Sequence, residues 1–403
     1  MIPVFYTALV VFSLIYAVTL LGFILGLRRL RHNRRVEFNI WPSVSIVIPA
    51  RNEAEVLERT LNSLLAQDYP GNWEIVVVDD RSTDATSFVL ARMSASDPRI
   101  RSIRVSEVNP ISPKKNALSL GIKSARHEII ATTDADCVYH ASWLRAMVSH
   151  LTDEVGVVAG LTVFDLPIDR IPLWQKIQWL DFFIQNFLAA GAAGAGVPSS
   201  CNGSNLIYRR SVYSDIAGFG GNSTVVSGDD VLFAQRVSHL TNWKIRFATD
   251  AETIVRSLPV LTVRELMQQR LRWASKGLTY RSNMLVFLFG VYAYYLMLVA
   301  LPFVALKTPG FAYPLVGILG WKWAWDYLTA RVGSRAFGRR ELMPYFVPYA
   351  FLQLIFYPFF GIAGLLLPYR WKGDWYRTAR LPQGLRRGIV RVQHLVRARR
   401  VQS

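Results

Sequence analysis

The apolar positions of this chain fall into long uncharged runs near its two ends and short strand-like runs between them. Residues 1–27 carry no charged side chain and are followed by the basic stretch 28–35. A helix of that length spans roughly 40 Å, enough to cross a bilayer with some tilt. Because the basic residues follow the apolar run, we interpret residues 1–27 as an uncleaved membrane anchor whose C-terminal flank is cytoplasmic.

A C-terminal transmembrane region, residues 284–369, is predicted by two more uncharged runs, 284–306 and 342–369. The segment between them, 308–321, is apolar but short, and it predicts a weak span or a re-entrant helix.

The charges around this region conflict. The arginines before the last run and the basic tail, residues 370–403, both indicate the cytoplasmic side. One spanning helix cannot join two cytoplasmic segments unless it folds back, for which Pro358 is the candidate position. The sequence therefore leaves the number of C-terminal spans open.

Residues 40–280 show the alternation expected of one cytoplasmic α/β domain. Strand-like runs occur at 45–49, 75–79, 100–105, 129–133, 155–160 and 244–248. A helix beginning near Glu53 places apolar residues on one face and ends before the turn at Tyr69-Pro70-Gly71. Strand, helix and strand at this spacing predict a right-handed parallel crossover. The predicted fold class is therefore α/β, with transmembrane helices on both sides.

Residues 171–190 form an aromatic-rich apolar segment in which only Lys176 and Asp181 are charged. A buried core helix is one interpretation. We expect an interfacial helix instead, because aromatic side chains dominate and the chain is already anchored.

The net charge of +18 is compatible with nucleic acid, but much of it lies beside the apolar runs, where Lys and Arg set orientation and meet anionic lipid. We therefore expect a membrane as the partner and no nucleic acid. In the tail, residues 384–400 have the spacing of a surface-lying helix, and a solvated tail is the alternative. Cys137 and Cys201 are too few for a disulfide framework.

Two strand-like runs end in carboxylates. Asp79 and Asp80 close the second run, and Asp134-Ala135-Asp136 follows the fourth. In open α/β sheets ligands bind at the carboxyl ends of the strands. Two acids so close together repel each other unless a cation lies between them, and hard divalent cations take oxygen ligands that they share with substrate phosphates.

Two later segments add chemistry. Gly228-Asp229-Asp230 precedes an apolar-periodic helix, and an N-cap with a first-turn acid is the structural alternative for it. The segment 267–277 places Gln269, Arg272 and Trp273 on adjacent faces of one helical turn, which alone describes an ordinary basic helix.

Taken in order, these four elements resemble the inverting glycosyltransferases of family 2, in their membrane-anchored bacterial form. The pattern there is a VVDD-type strand end, a D-x-D, a later acid in an ED or GDD context, and Q-x-x-R-W. The resemblance covers residues 43–277 and implies the GT-A fold, a Rossmann-like nucleotide-diphospho-sugar transferase domain.

The resemblance implies a role for each matching residue. The nucleotide-sugar would be bound by residues at the ends of the first two strands, by a lysine in the segment 113–121 and by the first acid of the D-x-D. These residues are Pro49, Ala50, Arg51, Asn52, Glu53, Asp80, Lys114 and Asp134. Asp136 would hold a divalent cation, Mg²⁺ or Mn²⁺, through the diphosphate. Asp229 would be the catalytic base.

The acceptor and diphosphate region would be lined by Gln269, Arg272 and Trp273, with Asp230 and Asn205 as further candidates. Three positions depart from the family pattern: Pro113 stands for a glycine, Ser119 for an asparagine, and Gly228 for the glutamate of many members.

The implied activity is metal-dependent, inverting, hexosyltransferase-type transfer from a UDP- or GDP-linked sugar to a lipid or lipid-linked acceptor. The enzyme would be a multi-pass protein of the cell membrane with a cytoplasmic catalytic domain. A processive polysaccharide synthase is the alternative, although such enzymes extrude their product through a bundle of several spans. A non-catalytic membrane binding protein would not need the complete set of acids.

Overall fold

The structure, a computed structural model, describes residues 2–30, 35–106, 112–198, 200–219, 225–280, 282–308, 310 and 312–377. The helix predicted at 384–400 lies outside the described residues.

Helices and strands alternate through the middle of the chain. The helices are α1 (Ile2–Leu30), α2 (Leu57–Leu65), α3 (Thr86–Ser96), α4 (Pro113–Ser124), α5 (Trp143–Val148), α6 (Leu173–Gly194), α7 (Arg210–Asp215), α8 (Val231–Leu240), α9 (Val263–Ala274), α10 (Ser282–Lys307), α11 (Ala312–Ala336) and α12 (Phe346–Leu366). The strands are β1 (Val44–Ala50), β2 (Trp73–Asp79), β3 (Ile100–Arg104), β4 (Ile129–Thr132), β5 (Val155–Ala159), β6 (Thr162–Phe164), β7 (Leu206–Arg209), β8 (Lys244–Phe247), β9 (Val255–Ser257), β10 (Tyr369–Trp371) and β11 (Asp374–Tyr376).

Within the described residues, seven strands form the central sheet in the order β3-β2-β1-β4-β7-β5-β8. β1 pairs in parallel with both β2 and β4, and only β7 runs antiparallel to its neighbours. The α/β fold class and the six strand-like runs are confirmed. The carboxyl ends of β1, β2 and β4 consequently meet at one edge, and the predicted acids lie there.

Both faces of the sheet are buried, because residues alternate between two hydrophobic cores along each strand. Val47, Val76 and Val78 face the core that contains α4, α6 and α8. Their neighbours Ile46 and Val77 face the core that contains α2, α3 and α5. This arrangement explains why these strands are nearly continuous apolar runs in the sequence.

Helix α2 begins at Leu57, later than predicted. The chain first turns at Asn52, which has a φ of 56°, in the left-handed region that asparagine tolerates. The next backbone amides are bound by the loop after β2: Glu53 N–H donates to the Thr86 hydroxyl at 2.8 Å, and Ala54 N–H to Asp84 Oδ2 at 3.1 Å. These loop contacts replace the first helical turn.

Helix α6, which covers the segment predicted to be interfacial, is largely buried by protein. Trp179, Phe183 and Phe187 belong to the main core, and the C-terminal part of the helix packs on α1. Its aromatic side chains therefore face the domain and the neighbouring helices, which corrects the expectation that they face lipid.

Three helical segments are long and apolar enough to cross a membrane among the residues described: Val4–Leu30, Asn283–Lys307 and Arg340–Leu366. Helix α12 continues through Pro358 without a fold-back. The division of the chain into anchor, domain and membrane region stays a prediction.

Glycine allows α1 to pack closely against α6. A Cβ on Gly26 would overlap the carbonyl oxygen of Gly191, and one on Gly194 would overlap the carbonyl of Gly26. Gly22, one turn earlier on α1, has no atom within 4 Å of such a Cβ.

We predict that Gly26→Val lowers the stability of the protein by about 1–3 kcal/mol, because overpacking forces the two backbones apart. Thermal unfolding in detergent measures the effect. The control Gly22→Val, with the same loss of a helical glycine, should leave the midpoint nearly unchanged. Equal effects of the two substitutions would contradict the close α1–α6 contact.

Candidate active site

The loop after β1 is held against the loop after β2. Asn52 accepts a hydrogen bond from Thr83 N–H at 2.8 Å, and Asn52 N–H donates to the Ser82 hydroxyl at 3.0 Å. Pro49 and Ala50 end β1 beside Asp79, with Ala50 buried. The five residues predicted to contact the nucleotide, 49–53, therefore form a turn at the edge of the sheet that the loop after β2 holds in place.

The two acids after β2 have different environments. Asp79 accepts hydrogen bonds from Ser82 N–H at 2.9 Å and from the Ser87 hydroxyl at 2.6 Å, so it shapes the loop. Asp80 is also buried, and its carboxylate pairs with Arg81 at 2.9 Å. The Asp80 carboxylate can therefore still accept a hydrogen bond from a ligand at the edge of the sheet.

Lys114 joins the acids of two distant segments. Its ammonium lies 2.7 Å from Asp134 Oδ1 and 3.1 Å from Asp229 Oδ2. Pro113 occupies the first turn of α4, where its missing N–H has no cost, and Lys114 follows it at the site. The structure thus brings together the predicted lysine, the D-x-D and the predicted base.

Burial and charge act in opposite directions on this cluster. Burial by itself would lower the pKa of Lys114, but the charges of Asp134 and Asp229 outweigh it and raise that pKa. Burial would likewise raise the pKa of Asp229, but the Lys114 charge overcomes it and lowers the pKa. Asp229 is therefore a buried carboxylate kept ionised at neutral pH.

Among the residues that the structure describes, no cation pairs with the Asp136 carboxylate as Lys114 pairs with Asp134. Asp136 accepts a hydrogen bond from Ser257 on Oδ2 at 2.9 Å, and burial together with the Asp134 charge raises its pKa. A divalent cation beside Asp136 would relieve both effects. The described residues contain no group of three or more His, Cys, Asp or Glu side chains that could hold a metal. The carboxylate oxygens of Asp136 fit a divalent cation that is shared with substrate phosphates.

Asp230 caps α8. One of its carboxylate oxygens accepts a hydrogen bond from Val231 N–H at 2.6 Å, and the other accepts one from Gly203 N–H at 3.1 Å. The N-cap interpretation thus describes Asp230, while Asp229 points to Lys114. Asp230 thereby holds the segment that carries Asp229 against Gly203.

Asn205 does not line the acceptor side. The residue is fully buried, and its amide nitrogen donates to the carbonyls of Leu161 at 2.9 Å and Thr253 at 2.8 Å, while its oxygen accepts from the Trp143 indole at 3.1 Å. All of its capacity supports the core, which corrects the sequence-based expectation.

Helix α9 carries the Q-x-x-R-W residues to the site. It begins at a capping box formed by Thr262 and Glu265. Burial lowers the pKa of Arg272, and the opposing charge of Asp229 shows that this guanidinium is near the acids. Trp273 stacks on Phe182 at 6.0 Å between ring centroids, which anchors α9 to α6. The Gln269 side-chain oxygen is buried and has no partner among the described residues.

Lys276 is a further buried cation of the site that the sequence patterns did not single out. Its ammonium lies 3.8 Å from Asp230. Burial would lower its pKa, but Tyr280 and the nearby acids raise it. Lys114, Arg272 and Lys276 together make one side of the site cationic, and this suits a diphosphate leaving group.

The hairpin β10–β11 packs on the turn at residues 49–53, although it lies far away in the sequence. Lys372 pairs with Glu53 at 2.6 Å, and Asp374 pairs with Arg51 at 3.1 Å. The ring of Trp371 lies 5.2 Å from the Arg272 guanidinium. The predicted contacts Arg51 and Glu53 are thus paired with the hairpin, and residues 369–376 form a wall of the site.

Comparison with known proteins gives a consistent result. A sequence profile described as Glycosyl transferase family 2 matches residues 45–217, a segment that includes the lysine and the D-x-D but ends before Asp229. Glycosyltransferase AglE of Haloferax volcanii is 27% identical over 233 residues, which are 57% of this chain and 71% of that protein.

Two other relatives differ in the products that their names state. A beta-monoglucosyldiacylglycerol synthase of Nostoc is 27% identical over 62% of this chain and 52% of its own length. A poly-beta-1,6-N-acetyl-D-glucosamine synthase of Staphylococcus epidermidis is 24% identical over 58% of this chain and 54% of its own length. The chain spans about half the length of these two relatives.

We predict that the paired substitution Lys372→Met with Asp374→Asn loosens the hairpin. Each partly exposed ion pair contributes about 0.2–1 kcal/mol, so the loss of both pairs should accelerate amide exchange in residues 369–376 by about two- to thirtyfold. Hydrogen-exchange mass spectrometry measures this rate. The control Trp375→Ser removes a side chain that is 64% exposed on the same hairpin and should change it little. If the exchange rate of the paired variant is unchanged, the two ion pairs do not hold the hairpin against residues 51–53.

Proposed function

We propose the following reaction for this chain, which belongs to glycosyltransferase family 2 and has the α/β domain of that family. It transfers a sugar, with inversion, from a UDP- or GDP-linked donor to a lipid or lipid-linked acceptor at the surface of the cell membrane. The observation that supports the proposal is the Lys114 bridge: its ammonium lies 2.7 Å from Asp134, the predicted donor contact, and 3.1 Å from Asp229, the predicted base.

The donor binds at the sheet edge in this proposal. The turn 49–53 and Asp80 contact the nucleoside, and the hairpin closes over them. Lys114 and Arg272 stabilise the negative charge that develops on the leaving diphosphate. A divalent cation held by Asp136 and the diphosphate oxygens, Mg²⁺ or Mn²⁺, would supply further charge stabilisation.

The acceptor hydroxyl attacks from the face of the sugar opposite the diphosphate. A bond forms between the hydroxyl oxygen and the anomeric carbon, while the bond from that carbon to the diphosphate oxygen breaks and its electron pair stays on the diphosphate. The hydroxyl proton passes to Asp229, which is ionised at neutral pH because Lys114 lowers its pKa. A single displacement of this kind inverts the anomeric centre.

The membrane location rests on the long apolar helices at both ends of the domain. Helix α9, which carries the predicted acceptor residues, packs directly against α12. An acceptor that resides in the bilayer would therefore reach the site along the side of the domain that meets these helices.

We predict that Asp229→Asn lowers the transfer rate by about 100-fold or more, because a positioned general base contributes that much. The assay combines membranes containing the protein, Mn²⁺, and a panel of UDP- and GDP-sugars, and it measures nucleotide release and labelled lipid. The control Asp153→Asn changes an exposed acid outside the site. Absence of turnover by the wild type with every donor would refute the proposed reaction, and a polymeric product would favour the processive alternative.

We predict that Lys114→Met moves the acidic limb of the pH–rate profile to higher pH. Lys114 lowers the pKa of Asp229, so its removal lets burial raise that pKa, and the base is then ionised only at higher pH. Lys115, Lys276 and Arg272 remain near the acid and limit the shift. The matched control is Lys123→Met, an exposed lysine on the same helix. A profile that only scales down without moving would contradict this role for Lys114.

A further inference from the structure

The two ends of α12 both touch the catalytic domain. At its start, Phe346 belongs to the main core together with Phe183 of α6, and the Lys176 ammonium lies 5.3 Å from the Tyr345 ring centroid. At its end, Gly364 lies so close to α9 that a Cβ would overlap Ala274. A helix of 21 residues is about 31 Å long, close to the thickness of the hydrocarbon core. If α12 crossed the membrane, one end would be on the far side, away from the domain.

One face of α12 is apolar and uncovered. Its exposed side chains recur every three or four residues at Val347, Phe351, Ile355, Phe359, Ile362 and Leu366. The opposite face carries polar groups that bind protein: Tyr357 donates to Asp181 at 2.9 Å, and the Gln353 amide donates to Asp326 at 2.9 Å. This division is typical of a helix that lies in a membrane surface with one side in the acyl chains.

The two charged residues in the middle of helix α11, Lys322 and Asp326, are buried. The Lys322 ammonium lies 2.5 Å from Asp326 Oδ2, the lysine is fully buried, and the Tyr16 hydroxyl of α1 donates to Asp326 Oδ1 at 2.6 Å. Paired and hydrogen-bonded charges inside a bundle are the form in which ionisable residues occur in membrane spans. The outward side chains Tyr313 and Val316 are apolar and largely exposed. With 25 residues, α11 is about 37 Å long and is sufficient to cross.

The basic residues at the helix ends agree with a crossing by α11. Arg28 and Arg29 end α1, Arg335 lies in the last turn of α11, and Arg370 follows α12. If α1, α10 and α11 cross and α12 does not, all of these charges are on the side of the domain, where anionic headgroups and the positive-inside rule favour them. A crossing by α12 would place Arg335 and Arg370 on opposite sides.

We propose that α12 lies in the plane of the membrane with its exposed apolar stripe in the acyl chains of the domain-side leaflet, and that α11 crosses in its place. The inference rests on the proposed membrane location of the enzyme. Lipid is the occupant because α1 and α10 also carry exposed apolar side chains, and because basic residues, Arg340 and Arg370, lie at both ends of the stripe. The inference also removes the conflict between the apolar runs and the charges in the sequence.

Single cysteines test the topology of the full chain in sealed vesicles of known orientation, with a membrane-impermeant maleimide. The variants are Glu341→Cys before α12, Arg370→Cys after it, Leu240→Cys on the domain and Lys307→Cys at the far end of α10. The native cysteines Cys137 and Cys201 are buried, so the introduced thiols dominate the labelling.

Positions 341, 370 and 240 should label from one side, and position 307 from the other. Labelling of 341 and 370 from opposite sides would overturn the inference while leaving the membrane location intact. Recovery of the wild-type chain outside the membrane fraction would refute the location itself, and the inference with it.

A spin label at position 355 tests the occupant of the stripe. Lipid contact predicts that this label is more accessible to oxygen than to a water-soluble nickel chelate. Protection from both reagents would show that a second copy or another protein covers the stripe, and this result would overturn the assignment to lipid.

Discussion

The site depends on the ionic contact of Lys114 with Asp134 and Asp229. The three residues come from α4, from the end of β4 and from the segment before α8, so this contact fixes the relative positions of three parts of the domain. The side chains of Lys114, Asp134 and Asp229 are 20%, 35% and 11% exposed, so solvent screens the contact in part and the loss of one partner costs less than in a fully buried pair. The same ammonium lowers the pKa of Asp229, and in the proposed reaction it also stabilises the leaving diphosphate, so one contact would serve both the fold and the reaction.

The parts of the fold that the sequence predicted are those with a strong local pattern. The parallel strands were recognisable because both of their faces are buried, and the acids were recognisable because they follow those strands directly. Strand β7 was missed because its three apolar residues are followed by two arginines and α7 begins at Arg210, so no turn marks the end of the strand. Helix α2 was placed too early because the loop after β2, and not local propensity, determines the structure of residues 52–56.

The site contained features that no local pattern could show. Lys372 and Asp374 meet Glu53 and Arg51 only because the chain returns to the domain after the apolar helices. Asn205 has a side chain that often binds ligands, but the fold uses both its amide nitrogen and its amide oxygen for hydrogen bonds in the core.

Hydropathy favours α12 over α11 as a membrane span because a hydropathy scale counts Lys322 and Asp326 as two charges, although the two side chains form an ion pair in the structure. The membrane helices and the domain are also joined by a buried network in which Asp181 of α6 binds Arg270 of α9 and Tyr357 of α12.

The central claim is that Asp136 belongs to the same donor site as the Lys114 cluster and holds a cation there. Calorimetric titration of the purified protein with UDP and GDP, with and without Mn²⁺, tests this claim most directly, with Asp136→Asn beside the exposed-acid control Asp153→Asn. The account predicts that Mn²⁺ strengthens nucleotide binding in the wild type and the control, and that this gain is lost in Asp136→Asn. An equal gain in Asp136→Asn, or no binding of either nucleotide by the wild type, would contradict it.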